Sequence, residues 1–151
     1  MKLPLNELYQ EMILDHNKSP RNFRSLPNAD NSAEGYNPLC GDKVTVYLKM
    51  DEGVITEISF EGAGCAISTA SASLMTEAVK GKHATDVEQI FRQFRGLVKG
   101  AIFTADELLS LGKLAALQGV SQFPVRVKCA TLAWHTLRGA LEGIKNTVST
   151  E

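Results

Sequence analysis

The sequence predicts an α+β fold in which a small antiparallel β-sheet carries helices packed on one face. Two alternating runs, residues 43–50 and 54–61, are separated by the turn Asp51-Glu52-Gly53 and read as a hairpin. Before and after this pair, apolar residues recur three and four apart, the signature of amphipathic helices. Helix start and stop signals punctuate the second half of the chain.

The first helix is expected from Leu5 to Asn17, with Leu5, Leu8, Tyr9, Met12 and Ile13 forming its apolar stripe and Ser19-Pro20 ending it. Residues 21–38 are polar and contain Pro27, Gly35 and Pro38, so they read as an irregular connector holding a short strand near Ala33–Tyr36. In the hairpin, Val44, Val46, Leu48 and Met50 share one face with Val54, Thr56, Ile58 and Phe60. The opposite face is mostly wet, so helices should cover only the first.

A helix over Ala66–Lys80 follows Gly62-Ala63-Gly64-Cys65, with Ile67, Ala70, Leu74 and Ala78 as its buried stripe and Gly81 as a left-handed stop. Cys65 then occupies a helix N-terminus, where unpaired N–H groups and the positive dipole end favour a thiolate. Thr85-x-x-Glu88 and Thr104-x-x-Glu107 have the form of capping boxes and predict two further helices, the second stopping at Gly119. Phe123-Pro124 opens a long terminal helix, in which Val127, Ala130, Trp134, Leu137, Leu141, Ile144 and Val148 keep helical spacing.

At 151 residues and 44% hydrophobic content, residues 1–151 read as one domain able to bury a core without a disulfide or structural metal. Sixteen Lys and Arg against seventeen Asp and Glu give a net charge of −1, and no basic cluster interleaves with aromatics, which argues against nucleic acid as a partner. No continuous apolar segment suggests a secretory signal or membrane span, so a cytoplasmic location is expected. Three cysteines in a reducing compartment point to free thiols for metal or sulfur chemistry.

Cys40-Gly41-Asp42 presents a thiol and a carboxylate in one turn. Cys40 precedes one hairpin strand and Cys65 follows the other, so both lie toward the same end of the sheet. About 100° of rotation per residue sets Cys129 at the edge of the terminal helix's apolar stripe, facing a crevice. If that helix lays its first turns over the same end, Cys40, Asp42, Cys65 and Cys129 meet as a tetrahedral donor set suited to Zn²⁺. Asp42 is its weakest ligand, and Lys43, Arg126 and Lys128 flank the set with positive charge.

Each residue also has a plainer reading. A cytoplasmic cysteine taken alone is most often an inert small hydrophobe, and Asp42 taken alone is an ordinary turn or strand-start residue. His16 and His83 read as solvated, His135 points away from Cys129, and Trp134 belongs to the core.

Taken together, Cys40-Gly41-Asp42, Gly62-Ala63-Gly64-Cys65-Ala66-Ile67-Ser68 and Val127-Lys128-Cys129-Ala130-Thr131-Leu132 resemble the IscU/NifU-type iron–sulfur cluster assembly family, as do Leu14-Asp15-His16 and Ser19-Pro20-Arg21-Asn22. The resemblance spans essentially the whole chain. Lys128 stands where IscU proteins carry a histidine, and the Val98–Gln118 region is longer; both features match the SufU branch. The resemblance implies the SufE/NifU-like, IscU-type α+β fold and zinc held by Cys40, Asp42, Cys65 and Cys129. It further implies sulfur transfer from the persulfide of a SufS-like, PLP-dependent cysteine desulfurase to downstream Fe–S assembly proteins.

By position Cys40 would accept the sulfur, with a ligand donated by the desulfurase taking its place on zinc. Arg126 matches a basic position associated with partner engagement, and reads equally well as a charge-balancing surface residue. The alternative function is an iron-binding scaffold that assembles and transfers a transient Fe–S cluster on the same ligands.

Overall fold

The computed structural model describes residues 5–143 and 148–149, with side chains from residue 9 onward. Helix α1 (Leu5–Lys18) leads through a polar connector into β1 (Asn31–Asn37), β2 (Asp42–Asp51) and β3 (Val54–Ala63). Then come α2 (Ala66–Val79), α3 (Ala84–Val98), α4 (Ala105–Leu111), a 3₁₀ segment (Gly112–Gln122), α5 (Pro124–Glu142) and β4 (Val148–Ser149). The strand order is β3-β2-β1-β4, antiparallel except for the short β1–β4 pairing, which is parallel.

The hairpin forms as the alternation predicts, with Val44, Val46, Leu48, Ile58 and Phe60 buried against the helices. One step departs from it. Lys49 faces Glu57 while Met50 faces Ile55, so Thr56 is an extra residue in β3, and this bulge turns Ile55 rather than Thr56 into the core. The predicted strand at Ala33–Tyr36 extends to Asn31–Asn37. At Gly35, β1 comes so close to α5 that an added Cβ would collide with Thr136 Oγ1 and lie 3.1 Å from Leu132 Cδ1.

Instead of a single buried stripe, α2 has buried residues around most of its circumference, because α1, α5 and β3 all pack on it. Its small side chains permit that enclosure and also bond across it. Ser71 Oγ donates to the Ala130 carbonyl and accepts from Trp134 Nε1 at 3.2 Å. Trp134 lies stacked with Phe94 at 4.7 Å and with Phe91 at 5.8 Å between ring centroids. Gly81 has φ +83° as expected, but Lys80 is extended, so the glycine sits in a type II turn after the helix rather than directly on its end.

Of the two expected capping boxes, only Thr104–Glu107 forms, with both reciprocal bonds present. Helix α3 is instead capped by His83, whose Nδ1 accepts from Thr85 N at 3.2 Å, and Glu88 is drawn to Arg138 at 2.6 Å. The helix expected to run from Thr104 to Gly119 breaks at Gly112, where φ +58° and ψ −131° end the α geometry. Leu111, Leu114, Leu117 and Val120 nevertheless stay buried, because their spacing of three matches a 3₁₀ turn.

Pro124 occupies the first turn of α5 as predicted. The helix stops earlier than its apolar spacing suggests, since Gly143 adopts a left-handed conformation at its end. Val148 is therefore not helical but pairs with Gly35 at the sheet edge, and Ile144 lies outside the described residues. The side chains of Leu5 and Leu8 are likewise outside them, while Met12 and Ile13 pack against the core as expected. No helix among the described residues is long and apolar enough to cross a membrane.

Candidate metal centre

Three chain segments meet at one end of the sheet. The turn Pro38–Gly41 joins β1 to β2 and carries Cys40; Gly41 N–H closes it by donating to the Asn37 carbonyl at 2.8 Å, with Gly41 at φ +72°. Asp42 is the first residue of β2, paired with Asn37, and its side chain points into the buried face. Cys129 sits in the first half of α5. Among the described residues, a ligand atom from each of Cys40, Asp42 and Cys129 lies within 4.8 Å of the others, and the Cys129 and Cys40 sulfurs are 3.2 Å apart.

Cys65 is the N-cap of α2, as its position after Gly64 predicts, but its sulfur is not part of that compact group of three. It is tied to the site through its backbone, which donates to Asp42 Oδ1 at 3.0 Å. Gly64 makes that approach possible: a Cβ there would stand 2.8 Å from Asp42 Oδ1 and 3.1 Å from Ser68 Oγ. Cys129, expected at a crevice edge, is fully buried beneath Cys40, because α5 lies flat on the sheet and α2. All three cysteines are free thiols.

The donor set fits a soft divalent cation. Asp42 Oδ2 is buried with no hydrogen-bond partner, although a buried carboxylate oxygen normally finds one. Burial first, then the neighbouring Cys40 thiol and Asp42 carboxylate, push the Cys129 thiol far above its ordinary range. A bound cation reverses that balance by placing positive charge where the proton would sit. Two sulfurs and an orphaned carboxylate oxygen aimed at one small volume are what such an ion requires.

Of the three cations flanking the ligands in sequence, Arg126 is beside the sulfurs: Cys129 and Cys65 hold its guanidinium more firmly in the charged form. Lys43 turns to the wet face of the sheet, 5.8 Å above the Tyr36 ring. Arg126 also lines a cavity of about 490 Å³ between α1 and the 3₁₀ segment. His83 is exposed, but His16 is not solvated. It is buried, with Nδ1 2.7 Å from Ser73 Oγ, because it continues the stripe of Tyr9, Met12 and Ile13 by one more turn. His135 packs on the edge of Phe91, away from the site.

One residue at the centre was not legible in the sequence. Asn37 is fully buried, and its Nδ2 donates to Cys129 Sγ at 3.7 Å while its Oδ1 accepts from Leu39 N at 3.2 Å. The only hint was its place in the Asn-Pro pair before the turn.

Fold and site together define a small α+β protein that gathers two thiols and a carboxylate, a group able to hold a metal ion, at one end of its sheet. The NifU-like N-terminal domain profile matches residues 8–130, and the chain belongs to that family. It is 42% identical to the zinc-dependent sulfurtransferase SufU of Bacillus subtilis, over 88% of each chain. It is 39% identical to the iron–sulfur cluster assembly scaffold protein IscU of Streptococcus pyogenes, over 94% of this chain and 87% of that one. Among solved structures, a SUF-system scaffold protein from Fervidobacterium islandicum superposes with a TM-score of 0.81 at 35% identity, over 91% of this chain and 99% of the other.

Proposed function

We propose that this chain is a zinc-dependent sulfurtransferase of iron–sulfur cluster assembly, taking sulfur from the persulfide of a PLP-dependent cysteine desulfurase. The observation that carries the reading is the contact of Cys40 and Cys129 at 3.2 Å beside the unpartnered Asp42 Oδ2. Cys40, Asp42 and Cys129 would hold the ion, and Cys65 completes the set as fourth ligand. A zinc ion there would keep the thiols deprotonated at neutral pH.

Cys40 is the acceptor in this reading, since it lies on a half-buried turn whereas Cys129 is enclosed. Its thiolate attacks the outer sulfur of the desulfurase persulfide. A sulfur–sulfur bond forms on Cys40 as the desulfurase sulfur leaves as a thiolate, and the transferred sulfur keeps its proton. Arg126, exposed and held more firmly in its charged form by Cys129 and Cys65, is the cation that would offset the sulfurs' negative charge and meet the incoming partner.

The relatives named IscU favour a second reading, an Fe–S scaffold on the same donors. Lys128 speaks against it, because an ammonium is no ligand where an imidazole could be one. Purified protein should contain stoichiometric zinc and stimulate desulfurase turnover, and mass spectrometry should find one added sulfur on Cys40. Undiminished stimulation by Cys40→Ala would overturn the assignment. A stable cluster that reconstitutes anaerobically and passes to an apo-acceptor would favour the scaffold.

A further inference from the structure

The two touching thiols are held in different ways. Cys129 is fully buried on a helix, whereas Cys40 rides on a four-residue turn whose neighbour Leu39 is 61% exposed. One buried side chain stands between these two situations. Asn37, the last residue of β1, reaches both: its Nδ2 donates to Cys129 Sγ at 3.7 Å, and its Oδ1 accepts from Leu39 N at 3.2 Å. Its backbone carbonyl accepts from Gly41 N at 2.8 Å, so the residues on either side of Cys40 are pinned while Cys40 itself receives nothing from Asn37.

An N–H donor on a metal-bound thiolate withdraws charge from the sulfur and fixes its orientation, and such outer partners govern metal affinity. We propose that Asn37 is a positioning residue that separates the roles of the two sulfurs, making Cys129 the anchoring ligand and leaving Cys40 as the one that can depart to take up sulfur. This rests on the zinc reading above. It adds a cause for the asymmetry, located in a residue that is neither ligand nor nucleophile. Both ends of the buried amide are engaged, one on the turn that carries Cys40 and one on the sulfur of Cys129.

The test compares the zinc-loaded full chain with Asn37→Ala and with Asn37→Leu, which keeps the branched side-chain shape should the smaller residue fail to fold. Asn31→Ala is the control: Asn31 lies at the other end of β1 and donates from Nδ2 to the Ala140 carbonyl at 2.9 Å, away from the sulfurs. Three quantities are read. They are zinc affinity by competition with a chromogenic chelator, the thiolate-to-metal absorption band of the cobalt-substituted protein, and the order in which Cys40 and Cys129 are alkylated, mapped by mass spectrometry.

Loss of Asn37 is expected to weaken zinc by about 10–100-fold, to shift the cobalt band, and to let Cys129 be alkylated together with Cys40. Asn31→Ala should leave all three unchanged. Wild-type zinc affinity and cobalt spectrum in folded Asn37 variants, or equal losses in Asn31→Ala, would overturn the proposal and leave the zinc reading intact. A wild-type chain that binds no zinc would remove both. Should neither variant fold, Asn37→Asp, which keeps the acceptor for Leu39 N and lacks the N–H on Cys129 Sγ, is read against the same outcomes.

Discussion

Asp42 Oδ1 accepts the backbone N–H of Cys65 at 3.0 Å, joining the start of β2 to the N-terminus of α2 and leaving Oδ2 with no partner. One oxygen of the carboxylate thus serves the fold and the other is left unpartnered, where the proposed zinc would bind. Asp42→Asn keeps an acceptor for Cys65 but removes the charge. Its metal-free form should melt at or above the wild-type temperature, because an uncompensated buried carboxylate is costly. Zinc at about 100 times its dissociation constant should stabilise the wild type by about 2.7 kcal/mol and the variant by much less. Melting curves with and without a chelator check this, and an equal zinc effect in both proteins would contradict the role given to Oδ2.

Gly64→Ala tests the same carboxylate from the other side. The added methyl would stand 2.8 Å from Asp42 Oδ1, so the carboxylate must shift. Zinc affinity should fall while circular dichroism shows the fold retained.

On the same buried face of β1, two residues before Asn37, Gly35→Ala forces a methyl group into Thr136 Oγ1. The overpacking should cost about 1–3 kcal/mol in urea denaturation. Adding Thr136→Ala should recover part of that loss, a coupling that separates crowding from any effect on the strand itself.

Burial is the main cause that lowers the His16 pKa; Arg21 and Lys113 act with it, and Glu77 and Asp15 oppose it. A histidine with a depressed folded value is neutral in the native state and protonates more readily once unfolded. Its contribution is therefore complete above the unfolded pKa of about 6.5 and is lost as pH falls through that value toward the folded one. Wild-type stability should drop over this window, and His16→Asn should flatten the slope there. Parallel curves for the two proteins would exclude His16 as the source.

Thr104 and Thr85 each begin a T-x-x-E motif, yet only Thr104 caps its helix. Thr104→Ala should cost about 0.5–2 kcal/mol, and Thr85→Ala distinctly less, when measured by urea denaturation.

That last contrast shows where sequence reading stops. The box at Thr104 was legible and formed, whereas at Thr85 the cap passed to His83 because Glu88 has a better partner in Arg138, 50 residues away. The hairpin was legible from its alternation, but the bulge at Thr56 was not, since an added residue leaves local composition unchanged. His16 read as solvated from its polarity, although it stands three and four residues past Ile13 and Met12, and Ser73 supplies the partner that lets it lie buried. At the site, Cys40, Asp42 and Cys129 were legible because their chemistry stands out from their surroundings. Asn37 carries no such mark, and its function arises only from the fold that brings α5 over it.

The sulfur that completes the compact group comes from position 129, whereas its two companions lie at 40 and 42. During synthesis on the ribosome the growing chain therefore cannot close the centre until α5 has left the exit tunnel. The group is thus a product of the fold through α5, drawn together across the 89 residues that separate Cys40 from Cys129.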